Sequence, residues 1–248
     1  MSSSPSQVVF DHWDAYPVTT DDGPMFVLFD VDAAQQDLSA ALPYCARVIV
    51  PIKAPNHNGG PVGDERERLD TMEDELSQTL AQAGVACRLV GRLTFRGMRE
   101  MVFQLHDFES FRPPVGRWLA EQTDYEVDVS EHEGWDFFRD CICPSREGWV
   151  WISDRNVIDH LLADGSNAEI LHTLEFVFTG AAPGLRQLAE TLEQNGYAAL
   201  HPHDFASGTI VLTKALPLDL HLVFEHSLEH LQLADSCGVE YDGWGTQV

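Results

Sequence analysis

Residues 87–105 alternate so regularly that they admit one local structure. Cys87, Leu89, Leu93 and Phe95 share one parity, and Arg88, Arg92, Thr94 and Arg96 share the other. A period of two marks a strand that buries one side only. Arg96-Gly97 turns the chain, and Met101, Phe103 and Leu105 keep the apolar parity on the way back. The spacing predicts an antiparallel hairpin with an apolar face toward a core and an outer basic stripe of Arg88, Arg92 and Arg96. A lone hairpin is at best marginal in water, so the flanking segments must cover it and thereby decide the fold.

Those flanks are helical. Before the hairpin, Leu69, Met72, Leu76, Leu80 and Ala83 recur at steps of three and four. Asp64 with Glu67 three residues on has the spacing of a capping box, and Gly84 is the stop. Strands are predicted over residues 25–31, 47–52 and 125–129, a helix over 111–121, and a short helix over 134–141. In the second half a helix is predicted from Asp154 to Gly165, then a strand with Ile170, Leu174, Phe176 and Phe178 on one face. Pro183 opens a helix carrying Leu185, Leu188, Ala189 and Leu192. Strands over 197–201 and 209–213 follow. A last helix from Asp219 to Ser236 is predicted to turn Leu220, Val223, Phe224, Leu228 and Leu231 inward. An extra helix followed by β-α-β-β-α-β is the split βαβ order. The chain is therefore expected to be α+β, two ferredoxin-like (split βαβ) domains in tandem, the C-terminal one with an extra N-terminal helix. The turn-like Cys143-Pro-Ser-Arg-Glu-Gly148 places the boundary, giving domains 1–148 and 149–248.

Charge limits the partners. The 248 residues carry 40 acidic and 15 basic side chains, a net charge of −25. Residues 1–148 hold 26 acids and 12 bases, net −14; residues 149–248 hold 14 acids and 3 bases (Arg155, Arg186 and Lys214), net −11. Such a field disfavours direct binding of nucleic acid or an anionic membrane and favours a basic protein segment. The longest purely apolar run, residues 25–29, is far short of the roughly 20 residues of a membrane span. The first ten residues have neither a basic start nor an apolar core, so no secretory signal is read there. Five cysteines without zinc or redox spacing fit a reduced, cytoplasmic protein.

Few segments suggest chemistry. His226-Ser-Leu-Glu229-His230 matches the H-x-x-E-H pattern of a zinc hydrolase, but no third ligand is apparent, and the helical wheel turns His226 to water. His201-Pro-His203-Asp204 reads as a surface turn. Gly59-Gly60-Pro-Val-Gly63 lacks the Lys-Ser/Thr of a phosphate loop. The Arg88/Arg92/Arg96 stripe suits a small anion if its face is open; neutralisation by Glu100 across the hairpin and by nearby acids is the competing account. Near the end, Glu240, Tyr241, Asp242 and Trp244 stand among Gly243 and Gly245. Bulky rings beside acids and glycines suit a partner-gripping surface, or rings that seal a sheet edge. No catalytic residue and no cofactor is read from the sequence. The rival class is a metal hydrolase at His226/His230 or an anion-binding module on the arginines.

The C-terminal domain resembles the regulator of ribonuclease E activity B family, RraB. The resemblance rests on Leu161-Leu-Ala-Asp-Gly-Ser166, Leu171-His-Thr-Leu-Glu175, Asn195-Gly-Tyr197 and Val239-Glu-Tyr-Asp-Gly-Trp-Gly-Thr246, over about residues 152–246. It implies a small acidic protein of ferredoxin-like fold that binds ribonuclease E outside its catalytic centre and restrains RNA turnover, without catalysis of its own. The N-terminal half resembles an uncharacterised bacterial domain that can precede RraB-like domains. That likeness rests on Glu73-Asp74, on Gly91-Arg92-Leu-Thr94 through Gly97-Met-Arg99-Glu100, and on Trp135 with Pro144. It implies no known activity.

Overall fold

A computed structural model describes residues 12–246; the N-terminal stretch read for a signal lies outside them. The chain divides into two compact units, Met1–Pro144 and Ser145–Val248. Both are α+β, each with its own antiparallel sheet and its own core. No helix among the described residues is long and apolar enough to cross a membrane.

The first unit has strands β1 (Trp13–Thr20), β2 (Gly23–Asp30), β3 (Tyr44–Pro51), β4 (Cys87–Phe95), β5 (Met98–Leu105) and β6 (Asp128–Glu133), with helices α1 (Val31–Gln35), α2 (Asp64–Gln82) and α3 (Phe108–Glu121). The sheet order is β1-β2-β4-β5-β3-β6. Its last four strands, with α2 and α3, have the split βαβ arrangement. The β1–β2 hairpin extends the sheet beyond β4. The sequence reading missed β1 because Pro17 interrupts it. On an edge strand a missing N–H does no harm. The two-residue turn Asp21-Asp22 was the available signal.

One sheet face packs on α2 and α3. Val48, Val50, Met101 and Phe103 meet Leu69, Met72, Leu76, Leu80, Phe111 and Trp118, all buried. The α2 stripe is the predicted one up to Leu80, whereas Ala83 is exposed at the C-cap; Asp64 is not the N-cap, which is Gly63 without a side-chain bond. The other face meets a π-helical turn, Phe138–Ile142, where a helix over 134–141 was expected. Tyr16 donates to the Ile142 carbonyl at 3.1 Å, and the Trp135 indole donates to the Leu42 carbonyl at 2.8 Å.

A bulge in β4 overturns the expected basic stripe. Leu89 lies opposite Phe103 and Gly91 opposite Val102, leaving Val90 extra. One extra residue exchanges the faces of everything beyond it. Arg92 and Thr94 therefore share the α2 side with Met101 and Arg99, whereas Arg88 points to the opposite face, along with Leu93 and Glu100. Gly91 at the bulge is required for close approach: a Cβ there would lie 2.4 Å from Ile142 Cγ2.

The second unit contains α4 (Arg146–Ala163), β7 (His172–Gly180), α5 (Ala182–Gln194), β8 (Ala198–Ala199), β9 (Thr209–Leu216), α6 (Leu220–Cys237) and β10 (Val239–Thr246). Its order, β10-β7-β9-β8, is again that of a split βαβ sheet, with α4 as the extra helix. That helix starts at Arg146 rather than Asp154, because Ser145 caps it by accepting from the Gly148 N–H at 3.2 Å. Asp219 caps α6 in the same way.

Gly91→Ala should destabilise the chain by about 1–3 kcal/mol in urea unfolding, the usual cost of overpacking. Ile142→Ala in the same chain should recover part of that loss. Strict additivity of the two changes would contradict the contact.

Candidate functional site

The inward face of α6 is not the apolar stripe that periodicity suggested. Val223, Ser227, His230, Leu231 and Ala234 are buried, while Leu220, Phe224 and Leu228 are only half-buried. A serine and a histidine therefore enter the core, and they need partners. Those partners come from β10, α4 and the residue before β8.

A bulge in β10 supplies two of them. Tyr241 lies opposite Phe178 and Trp244 opposite Phe176, so one extra residue separates them, and Gly243 takes φ +95° to allow it. Residues three apart normally point to opposite faces; here both rings lie on the face of the buried Phe176 and Phe178. The Trp244 indole donates to Asp154 Oδ1 of α4 at 2.8 Å, and the Tyr241 hydroxyl lies 3.2 Å from Ser227 Oγ. The Tyr197 hydroxyl bridges His226 Nδ1 at 2.9 Å and His230 Nε2 at 2.8 Å.

Burial governs ionisation in this cluster. Asp154 is 3% exposed, its Oδ2 has no hydrogen-bond partner among the described residues, and burial lifts its pKa to about 6 against the opposing effect of Trp244 and Ser227. Burial, with lesser contributions from His226 and Lys214, drives His230 down to about 3. His226 is also lowered, first by burial and then by Lys214. Both imidazoles are neutral at pH 7. His230 Nδ1 is buried without a partner, so the tautomer that leaves no N–H unmet is Nε2–H donating to Tyr197, which in turn donates to His226 Nδ1.

The H-x-x-E-H segment is thus part of this interior. His226 is half-buried rather than facing water, and both of its histidines are tied to Tyr197. Glu229 points outward at 74% exposure. Among the described residues no group of three or more His, Cys, Asp or Glu is placed to hold a metal. In the other His-rich segment, His203 meets Glu193 at 3.0 Å and Asp204 accepts from the Ala206 N–H.

Of the residues read as a partner surface, Glu240 and Asp242 are exposed, Tyr241 is half-buried and Trp244 is 9% exposed. The rings build the core and the acids face solvent. Two cavities lie between α4 and β10. One, of about 290 Å³, is lined by Trp149, Ser153, Asp154, Tyr241 and Asp242; the other, of about 670 Å³, by Trp149, Ile152, Asn156, His160, Trp244 and Thr246. Sequence reasoning missed Asp154 and Ser227. Asp154 shares an i, i+4, i+7 stripe with Ile158 and Leu161, and an acid on such a stripe was the available signal.

The three arginines read as a stripe are paired, each with different acids. Arg88 bonds Asp30 and lies 3.8 Å from Asp32. Arg92 bonds Asp70 and Glu73, each at 3.3 Å, and Arg96 bonds Asp22 at 3.1 Å. Glu100 pairs with Arg47 instead of the stripe.

Comparison with known proteins matches residues 151–246 to a family described as regulator of ribonuclease activity B, and residues 11–142 to a family of unknown function, DUF695. A regulator of ribonuclease activity B from Colwellia psychrerythraea is 33% identical over 105 residues, which is 39% of this chain and 90% of that protein. One from Pseudoalteromonas translucida is 35% identical over 109 residues, 40% of this chain and 96% of that protein. One from Photobacterium profundum is 33% identical over 104 residues, 37% of this chain and 76% of that protein.

Asp154 makes a testable pH signature. Its raised pKa means that the folded state holds the proton longer than the unfolded state. Stability is therefore fully present below about pH 4 and is lost as pH rises through about 6, at a cost of about 3 kcal/mol. Asp154→Asn retains an acceptor for Trp244 and removes the charge. It should raise the melting temperature at pH 8 and change it little at pH 4. Equal shifts at both values would contradict a buried, ionising carboxylate.

Proposed function

We infer a regulatory, non-catalytic role from one premise: this chain belongs to the family of regulators of ribonuclease activity B through residues 151–246, and to a family of unknown function through residues 11–142. Its second unit binds a basic protein segment, on a ribonuclease E-type enzyme, and thereby restrains RNA degradation. The observation that carries this reading is the distribution of charge in that unit. Of the 15 acids in residues 145–248, all but Asp154 and Glu175 are exposed, against 4 bases. Uncompensated surface charge of one sign steers an oppositely charged segment and sets its register.

The docking place is the side of α4 and β10. β10 is an edge strand, with Glu240 and Asp242 exposed along it. The two cavities beside it share Trp149, an exposed ring that suits the alkyl stems of lysine or arginine. Tyr241 and Trp244 act by holding β10 and α4 together, not by touching the partner. The setting is the cytoplasm, where such an enzyme meets RNA.

Titrating the whole chain into a purified ribonuclease E-type enzyme tests this. RNA cleavage should slow, and affinity should fall as salt rises. Glu240→Lys with Asp242→Lys should weaken binding about tenfold, the scale of two lost charge contacts. Glu190→Lys, on α5, should matter less. Salt-independent affinity, or equal effects at both places, would overturn the proposal.

A further inference from the structure

The β1–β2 hairpin carries the first unit's sheet past the cover of α2 and α3. The core on the helix face contains no residue of β1 or β2. Phe26 of β2 lies on that face, opposite Thr94, and is 45% exposed. The overhang and the start of α2 enclose a cavity of about 410 Å³, lined by Ala15, Phe26, Leu28, Pro61 and Thr94 together with Arg66, Arg92 and Arg99.

Three guanidinium groups in one small cavity are notable in a chain with 15 basic residues in all. Two carboxylates on α2 face them: Asp70 bonds both Arg92 and Arg99, and Glu73 bonds Arg92. Arg66 has no ion-pair partner among the described residues, so the cluster retains a positive excess. Arg99 is 4% exposed, and its Nε has no hydrogen-bond partner among the described residues. A buried guanidinium N–H without an acceptor is costly, and an anion in the cavity would supply one. Glu73 is pushed up by burial, which opposes the lowering effect of Arg92 and Arg99.

We propose that this cavity binds a small phosphate monoester, with its phosphoryl oxygens among Arg66, Arg92 and Arg99 and its apolar body against Phe26 and Pro61. Three separate forks suit the several oxygens of a tetrahedral phosphoryl better than one planar carboxylate. Leu28 and Ala15 extend the apolar wall on which an aromatic body would lie. The site belongs to the first unit and stands independently of the reading of the second.

Phenyl phosphate is the probe, with inorganic phosphate and benzoate as comparators, titrated calorimetrically into the whole chain. Phenyl phosphate should bind saturably and more tightly than either comparator. Arg66 is exposed and its removal spares the core, so Arg66→Ala should fold normally and weaken binding about tenfold, the loss of one charge-assisted contact. Arg112→Ala, at an exposed arginine outside the cavity, should leave affinity unchanged. Absence of saturable binding, preference for benzoate, or affinity unaffected by Arg66→Ala would overturn the assignment.

Discussion

The hydrogen bond from the Trp244 indole to Asp154 joins the first helix of the second unit to its last strand, 90 residues away. Much else in that unit follows from it. To reach Asp154, Trp244 must turn inward, which requires the bulge at Gly243. The bulge then places Tyr241 on the same face, over Ser227. Burial favours the neutral form of both Asp154 and His230, which shifts their pKa values in opposite directions. Asp154 withdraws stability as pH rises from about 4 to 6. His230, whose folded pKa lies below its unfolded value, withdraws stability as pH falls from about 6.5 to 3. Between about pH 4 and 6 the two slopes oppose each other.

Most of the architecture could be read from periodicity and turn residues. The α2 stripe, the 87–105 hairpin, the Pro183 helix and the helix from Asp219 all arise from local physics, and the structure contains each. What escaped were features set by long-range contact. β1 was hidden by Pro17, whose cost vanishes only at a sheet edge. The true start of α4 depended on Ser145 as a cap, inside a stretch whose Pro and Gly suggested a linker. The α6 face was misjudged because periodicity weighs hydrophobicity, whereas Ser227 and His230 enter the core once Tyr241 and Tyr197 satisfy them. The candidate site was legible in part. The string Val239–Thr246 stands out in the sequence, but its rings and its acids divide between interior and surface in a way that alternation alone cannot show.

The two units manage charge differently. In the first, acids sit where arginines can reach them, and Arg47, Arg88, Arg92, Arg96 and Arg112 each have a carboxylate partner. In the second, the bases are too few to reciprocate, and acids remain at the surface. An excess that would merely repel within an isolated domain becomes a source of attraction once a basic chain approaches.

Each of the bulges in β4 and β10 holds a side chain on a face that strict alternation would deny it. Asp242 is exposed, so exchanging it changes little inside the protein. Straightening the strand with all its residues retained would rotate Trp244 outward and leave Asp154 without its donor. Straightening β4 at Val90 in the same way would turn Arg92 away from Asp70 and Glu73. The second unit's signature string is therefore a spacing rule as much as a chemical one. Within it Gly243, whose φ of +95° allows the kink, is the position where a side chain would be strained.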